Sequence, residues 1–336
     1  MANPRITVLI PNYNHALYLP HRIESVLNQS YQDLEVIIMD DYSPDNSREV
    51  IEKYAALDTR ITIVYNEQNS GSTFKQWNKG FALAKGEYIW IAESDDYAHP
   101  QFLEILVGIL DADNQIGLAY SASYTIDEQN NVLDMGENYF SELDSALWKN
   151  DFVVDGLSLI RRFMIKSNII PNASAVLIRR SVVQEIGPAD ESKRLVGDWL
   201  YWSRIMVRHK IAYVAKPLNY FRKHTNNVRS GSAVSGIGML EFIDVLKQLK
   251  SYGDFNSTAY NERLSALFYM WSNSIIYSSI PFKTHHVIWR KLIEIDSSTN
   301  RRVIDFMFSK RLSWVRMFIG DGLLWPQLSK LGIRKK

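Results

Sequence analysis

Apolar and polar positions alternate in blocks along the first 120 residues. Ile6-Thr-Val-Leu-Ile10 is a short β-branched run closed by Pro11, and residues 19–29 follow with Leu19, Ile23, Val26 and Leu27 at helical spacing. Leu34–Met39 is a second apolar run ended by Asp40 and Asp41. Asp45-Asn46-Ser47 offers caps for a helix through Ala56, and Ile61–Tyr65 reads as a third strand. A helix over 73–84 closes toward Gly86. Tyr88–Ala92 is a fourth strand ended by Glu93-Ser-Asp-Asp96, a helix follows Pro100, and Gly117–Ser121 is a fifth strand. Strands alternating with helices predict right-handed βαβ units and a mostly parallel sheet flanked by helices. Ligands in such sheets bind at the carboxyl ends of strands, where two of these strands carry paired carboxylates.

The pattern changes twice further on. Residues 121–235 are mixed, with β-like runs at Ser174–Arg179, Ile211–Val214 and Leu218–Arg222 and a helix over Gly197–Arg208. From 236 to about 320 the spacing is mainly helical, broken near Gly253 and Pro281. This predicts an α/β domain over 1–235, with parts 1–120 and 121–235, and a helical C-terminal region over 236–336.

Composition narrows the chemistry. No cysteine is present, which removes disulfides, thiolate zinc sites, iron–sulfur clusters and a cysteine nucleophile. The 38 Lys+Arg nearly balance the 37 Asp+Glu, so the net charge of +1 gives no general attraction to nucleic acid. Residues 301–336 carry nine Lys/Arg against Asp305 and Asp321, a net +7, which leaves −6 on the rest. That tail mixes cations with Trp314, Phe318 and Trp325. It suits peripheral contact with an anionic membrane, or helices packed on the domain with their basic residues solvated. The first residues read as a strand rather than a signal peptide, and no apolar stretch reaches the roughly 18 residues of a membrane span, so a cytoplasmic protein is expected.

The strand ends hold the candidate site. The loop after the first strand, Pro11-Asn-Tyr-Asn-His15, lacks the glycines of a dinucleotide or P-loop turn, so a bound diphosphate would need another neutralising group. Asp95-Asp96 can supply it by holding Mg²⁺ or Mn²⁺, or can simply be a turn capping the next helix. Asp40-Asp41 can accept from a base or ribose, or cap a turn. Tyr13 can stack on a base or pack on the sheet. Asp198, in Val196-Gly-Asp-Trp199, is a helix-start carboxylate that would serve either as a cap or as a general base.

Taken in order, Val8-Leu-Ile-Pro-Asn-Tyr-Asn14, Glu24-Ser-Val-Leu-Asn-Gln-Ser-Tyr31, Leu34-Glu-Val-Ile-Ile-Met-Asp-Asp41, Gly86-Glu-Tyr-Ile89 and Glu93-Ser-Asp-Asp96 resemble the family-2 inverting glycosyltransferases. The likeness covers roughly the first 120 residues and continues more loosely to about 230, where Gly197-Asp198-Trp199 resembles the family's acidic catalytic motif. It implies a GT-A fold, with nucleotide-sugar binding by 1–120 and acceptor and catalytic functions in 121–235. A nucleotide-diphospho-sugar donor, with UDP favoured, and Mn²⁺ or Mg²⁺ follow from the same likeness. By motif position, Pro11 and Tyr13 line the base pocket, Asp41 accepts from the base, Asp95 lies near the ribose, Asp96 binds the metal and Asp198 is the base. His224 lies in a segment resembling one that closes over the diphosphate in some relatives. There it would complete the metal shell and Arg222 or Arg229 would balance phosphate charge; a polar loop after an edge strand is the alternative.

Two departures stand out. Glu93 replaces the aspartate that often opens the family's acidic stretch. Lys75-Gln-Trp-Asn-Lys-Gly80 replaces the Ala-Arg-Asn that many members carry before the glycine, leaving Lys75 to face the phosphates or the solvent. The Gln-x-x-Arg-Trp motif of processive members is absent, so transfer of a single sugar to a saccharide or lipid-linked saccharide is expected, in bacterial cell-surface polysaccharide assembly. The rivals are a sugar-phosphate nucleotidyltransferase, which would show a Gly-rich first loop, and a degenerate member that only binds nucleotide or glycan.

Overall fold

A computed structural model describes residues 3–134, 140, 143, 144, 146–224, 236–253, 257–277 and 280–302. Its centre is a ten-stranded sheet whose main path runs β3-β2-β1-β4-β9-β6-β10-β5. Strands β1 (Ile6–Asn12), β2 (Leu34–Asp40), β3 (Ile61–Tyr65) and β4 (Tyr88–Ile91) are mutually parallel and form one half. Helices α1 (Leu19–Leu27), α2 (Ser47–Ala55) and α3 (Thr73–Leu83) make the crossovers. β1 is buried along its whole length, as expected of a strand covered on both faces. Ile6, Val8 and Ile10 pack with Ile23 and Val26 of α1 in the main core, so the helical spacing seen in the sequence is the spacing of the buried face.

The second half is mixed. β6 (Ile116–Ile126) and β10 (Lys210–Arg222) are parallel, while β9 (Val176–Arg179) lies antiparallel between β4 and β6. β5 (Tyr97–Ala98) and β8 (Phe152–Asp155) pair antiparallel with β10, and β7 (Val132–Asp134) with β6. The two runs expected around Pro217 are one strand, interrupted in register between Val214 and Asn219. Proline has no N–H for the ladder, and the bulge absorbs that loss without ending the strand. The short strands β5, β7 and β8 were not legible as strands, because two to four residues carry no periodicity.

Helix α4 (Phe102–Ala112) precedes β6. A short turn α5 (Gly156–Leu159) and helices α6 (Arg180–Ile186) and α7 (Gly197–Met206) follow within 121–235. Beyond it, α8 (Ile237–Lys250), α9 (Ser257–Tyr277) and α10 (Phe282–Ile295) give the helical pattern expected there, with breaks at Gly253 and before Phe282. In α10 the buried residues Ile288, Leu292 and Ile295 mark one face. The chain divides into two compact units, one of residues 1–232 with 244–261 and the other of 233–243 with 262–336. Among the described residues no helix is long and apolar enough to cross a membrane. The basic, aromatic-rich tail beyond residue 302 lies outside the described residues.

Close approach of β1 and β4 depends on Gly86. A side-chain carbon at this position would stand 2.5 Å from the Thr7 nitrogen and 2.6 Å from the Ile6 carbonyl carbon. The Gly86 N–H instead donates to Thr7 Oγ1 at 2.8 Å. Gly86→Ala should therefore lower stability by about 1–3 kcal/mol, the usual range for overpacking, measured as a shifted urea midpoint at unchanged m-value. An unshifted midpoint would show that the two strands separate without cost.

Candidate active site

A cleft of about 890 Å³ opens at the carboxyl ends of β1, β2 and β4. Its walls include Tyr13, Asp41, Glu93, Asp95, Asn172 and Asp198, all within the first unit. The sheet thus gathers most of the candidate residues, from Pro11 to His224, from positions up to 213 apart in sequence.

The turn after β4 dominates the site. Asp95 accepts from His224 Nε2 at 3.1 Å through Oδ2. The His15 ring lies 5.6 Å from that of His224, and His15 Nδ1 bonds Ser94 Oγ at 2.8 Å. Candidate ligand atoms of His15, Asp95 and His224 all lie within 4.8 Å of one another. Asp96 is placed differently. It is 1% exposed, and its Oδ1 accepts from the backbone N–H of Arg222 at 2.9 Å. Asp96, the residue expected to bind the metal, thus lies in the cleft wall with one carboxyl oxygen committed to β10, while Asp95 meets the histidine.

Electrostatics separates these carboxyls. Burial and the nearby Asp95 charge hold Asp96 above the usual carboxylate range. Burial also opposes ionisation of Asp95, but the His224 hydrogen bond and the His15 ring outweigh it and leave Asp95 lowered. Burial and Asp95 push Glu93 up to about 8, against the hydrogen bond from Trp77. The Asp95 hydrogen bond raises His224, whereas burial lowers His15.

Beneath the turn lies Arg22, which the sequence reading placed only on a helix. It is fully buried, its Nε donates to the Glu93 carbonyl at 2.8 Å, and its guanidinium carbon sits 5.5 Å over the Trp90 ring. Neither Nη atom has a hydrogen-bond partner among the described residues. Burial lowers its pKa to about 10 while Asp96, Asp95 and Glu93 hold the charge in place. One signal was available: an arginine one residue before Ile23 falls beside the apolar stripe.

Asp41 closes β2. Its Oδ1 accepts from Asn66 Nδ2, the Ser70 N–H and Gln76 Nε2 at 2.5, 2.8 and 2.9 Å, and its Oδ2 accepts from Ser70 Oγ at 2.7 Å. Each carboxylate oxygen offers two lone pairs, and Oδ2 receives a single donor among the described residues, so it keeps room for one more. Pro11 and Tyr13 line the same side of the cleft, and Tyr13 is 47% exposed, its ring standing at the mouth rather than lying flat on the sheet. Lys75 is not in this cleft. It donates to the Ser70 carbonyl at 3.1 Å and, with Lys79, lines a separate shallow recess beside Tyr65 and Asn66.

Asp198 stands in the first turn of α7, where the helix dipole favours a carboxylate. Its Oδ2 accepts from Asn168 Nδ2 at 3.0 Å. Asn168 sits in a loop whose sequence carries no distinguishing mark. Gly197 is needed here because a side-chain carbon would lie 2.4 Å from the Phe74 ring of α3. Trp199, the residue after Asp198, is 6% exposed and is not among the cleft-lining residues.

Arg222 is buried. Its guanidinium donates to the carbonyls of Asp95 and Asp127 and to Asn130 Oδ1, each at 2.7 Å, so it braces the acidic turn from behind. Arg229 lies outside the described residues.

This arrangement is that of a GT-A nucleotide-sugar-binding fold. The sequence pattern of Glycosyl transferase family 2 matches residues 7–168. An uncharacterized glycosyltransferase of Nostoc sp. is 29% identical over 69% of each chain. Among solved structures, the S. aureus TarS 1-349 complex with UDP-GlcNAc aligns with a TM-score of 0.62 at 17% identity, covering 86% of this chain and 81% of that one. The Pyrobaculum calidifontis mannosyltransferase PcManGT, in complex with GDP-Man and Mn²⁺, aligns with a TM-score of 0.57 at 14% identity over 90% and 84%. The chain thus resembles the family-2 glycosyltransferases, by sequence pattern over residues 7–168 and by fold over most of its length.

The buried cation yields a test of the turn's construction. Arg22→Met removes the charge under three acidic side chains and keeps the volume of the stem. The variant loses the charge-assisted hydrogen bond to the Glu93 carbonyl, a contact worth about 1.5–3 kcal/mol, so it should lose stability of that order in urea unfolding. A loss below about 1 kcal/mol would mean that the turn does not need the cation.

Proposed function

We propose that this cleft binds a nucleotide-diphospho-sugar with a divalent cation and transfers one sugar, with inversion, to a hydroxyl of a saccharide or lipid-linked acceptor. The observation that carries the reading is the His15–Asp95–His224 cluster in the same cleft as Asp198. One carboxylate oxygen with two imidazoles is a donor set that Mn²⁺ accepts, and Ser94 on His15 Nδ1 leaves Nε2 for a ligand. Asp95, His224 and His15 would hold the cation, in place of Asp96, and the cation would neutralise charge on the diphosphate.

The chain's own residues do the remainder. Tyr13 offers a ring face to the base, and Asp41 Oδ2 offers an acceptor to a base N–H. Arg22 and Arg222 keep the acidic turn in place before the donor arrives. Asn168 orients Asp198, and that carboxylate takes the proton of the acceptor hydroxyl as its oxygen attacks the anomeric carbon and the bond from that carbon to the phosphate oxygen breaks, releasing the nucleoside diphosphate. Inversion requires only this one base. UDP is the favoured nucleotide, and a setting in bacterial cell-surface polysaccharide assembly follows from the family resemblance.

Two measurements test this. In calorimetry, UDP or GDP should bind with Mn²⁺ and lose affinity in EDTA. Asp95→Ala should abolish the response to Mn²⁺, whereas Asp96→Asn should keep it. Equal affinity with and without metal would refute the cation site. Asp198→Asn should retain nucleotide affinity and lose transfer by about 10²–10⁴-fold, the usual weight of a general base. Near wild-type transfer, or a product with retained anomeric configuration by NMR, would remove Asp198 from that role. Nucleotide binding without transfer by the unmodified chain to any hydroxyl acceptor would point instead to a binding protein.

A further inference from the structure

The two departures from the family's pattern meet in space. Trp77, in the segment that replaces Ala-Arg-Asn, donates its indole N–H to Oε1 of Glu93, the residue that replaces aspartate, at 2.9 Å. The indole is 2% exposed. It is packed against Phe74, Trp202 and Tyr201 at ring separations of 5.1, 5.6 and 6.3 Å. A ring so enclosed has one orientation, so the direction of its N–H is fixed. An aspartate at 93 would withdraw the carboxylate by about one C–C bond, ~1.5 Å, beyond the reach of this donor. Glu93 Oε2 meanwhile has no hydrogen-bond partner among the described residues, and Glu93 lines the cleft.

The location limits what Oε2 can meet. On one side is Asp95, at the cluster assigned above to the cation and diphosphate. On the other, Trp77 touches Phe74, and Phe74 underlies Gly197, the residue before Asp198. In an inverting transfer the sugar lies between the diphosphate and the base. We propose that Trp77 is a positioning residue that fixes Glu93 so that Oε2 hydrogen-bonds a hydroxyl of the transferred sugar, making the pair a determinant of donor-sugar recognition. This rests on the donor reading given above.

The test separates sugar from nucleotide. With Mn²⁺ present, the full chain is titrated with UDP and GDP, and then with a panel of sugar derivatives of whichever nucleotide binds, including UDP-GlcNAc or GDP-mannose. The readout is the affinity gained by attaching the sugar. Trp77→Phe keeps a packed ring without the N–H, and should reduce that gain about tenfold for the best panel member, with nucleotide affinity changed less than about twofold. Glu93→Asp leaves the core untouched, removes the same contact and should show the same loss, so the proposal stays testable if Trp77→Phe fails to fold. In the Glu93→Ala background, Trp77→Phe should cause no further loss. A Trp77→Phe variant that weakens nucleotide and nucleotide-sugar alike, an additive double variant, or Glu93→Asp with wild-type discrimination would each overturn the pair while leaving the donor site standing. A wild-type chain that binds nucleotide but gains nothing from any attached sugar would also overturn it. A chain binding neither UDP nor GDP would overturn the donor site and this proposal together.

Discussion

Glu93, Asp95 and Asp96 place three carboxyl groups within four residues at the end of a buried strand, and the rest of the site follows from how the protein tolerates this. In a low-dielectric setting such groups repel strongly, and some must be neutralised or paired. Arg22 brings a full charge under the turn at the cost of complete burial. Arg222 binds the turn through its backbone N–H and its guanidinium, and His224 pairs with Asp95. The outcome is asymmetric: Asp95 is held ionised, while Asp96 and Glu93 are shifted toward the neutral form. One turn thus presents an anionic carboxylate to the histidines and a buried carboxyl bonded to the backbone of β10.

The second constraint is the first loop. Without glycine at 11–15, the backbone cannot wrap a phosphate, and side chains must take over. His15 stands in a loop shaped by Asn14 in the left-handed region and tied down where the Ala16 N–H donates to Asp45 Oδ2 at 2.8 Å. The same loop presents Tyr13 at the cleft mouth.

Helix α3 connects the two chemical ends of the cleft. Its inward face carries Phe74 under the start of α7, Gln76 on Asp41 and Trp77 on Glu93. Three positions within one turn of helix thus touch the carboxylate that closes β2, the acidic turn and the helix that bears Asp198. Small shifts of α3 would be felt at all three, because packed rings transmit displacement rather than absorb it.

The sequence by itself determined the parallel half of the sheet, since each strand there is a complete apolar run and each crossover helix shows its own stripe. It also determined that the carboxylates of Asp41, Asp95 and Asp96 stand at strand ends, because the runs stop there. Tertiary structure decided what each carboxylate does. Adjacent residues on a turn point in different directions, so no reading of Asp95-Asp96 could tell which faces His224 and which meets the Arg222 backbone. It also decided the insertion of β9 between β4 and β6 and the joining of two runs across Pro217, since strand order and bulges depend on partners distant in the chain. Arg22, Asn168 and Trp77 acquired their places in the same way. A buried guanidinium, an amide in a loop and an indole on a helix are ordinary residues until the fold sets a carboxyl group or a carbonyl beside each.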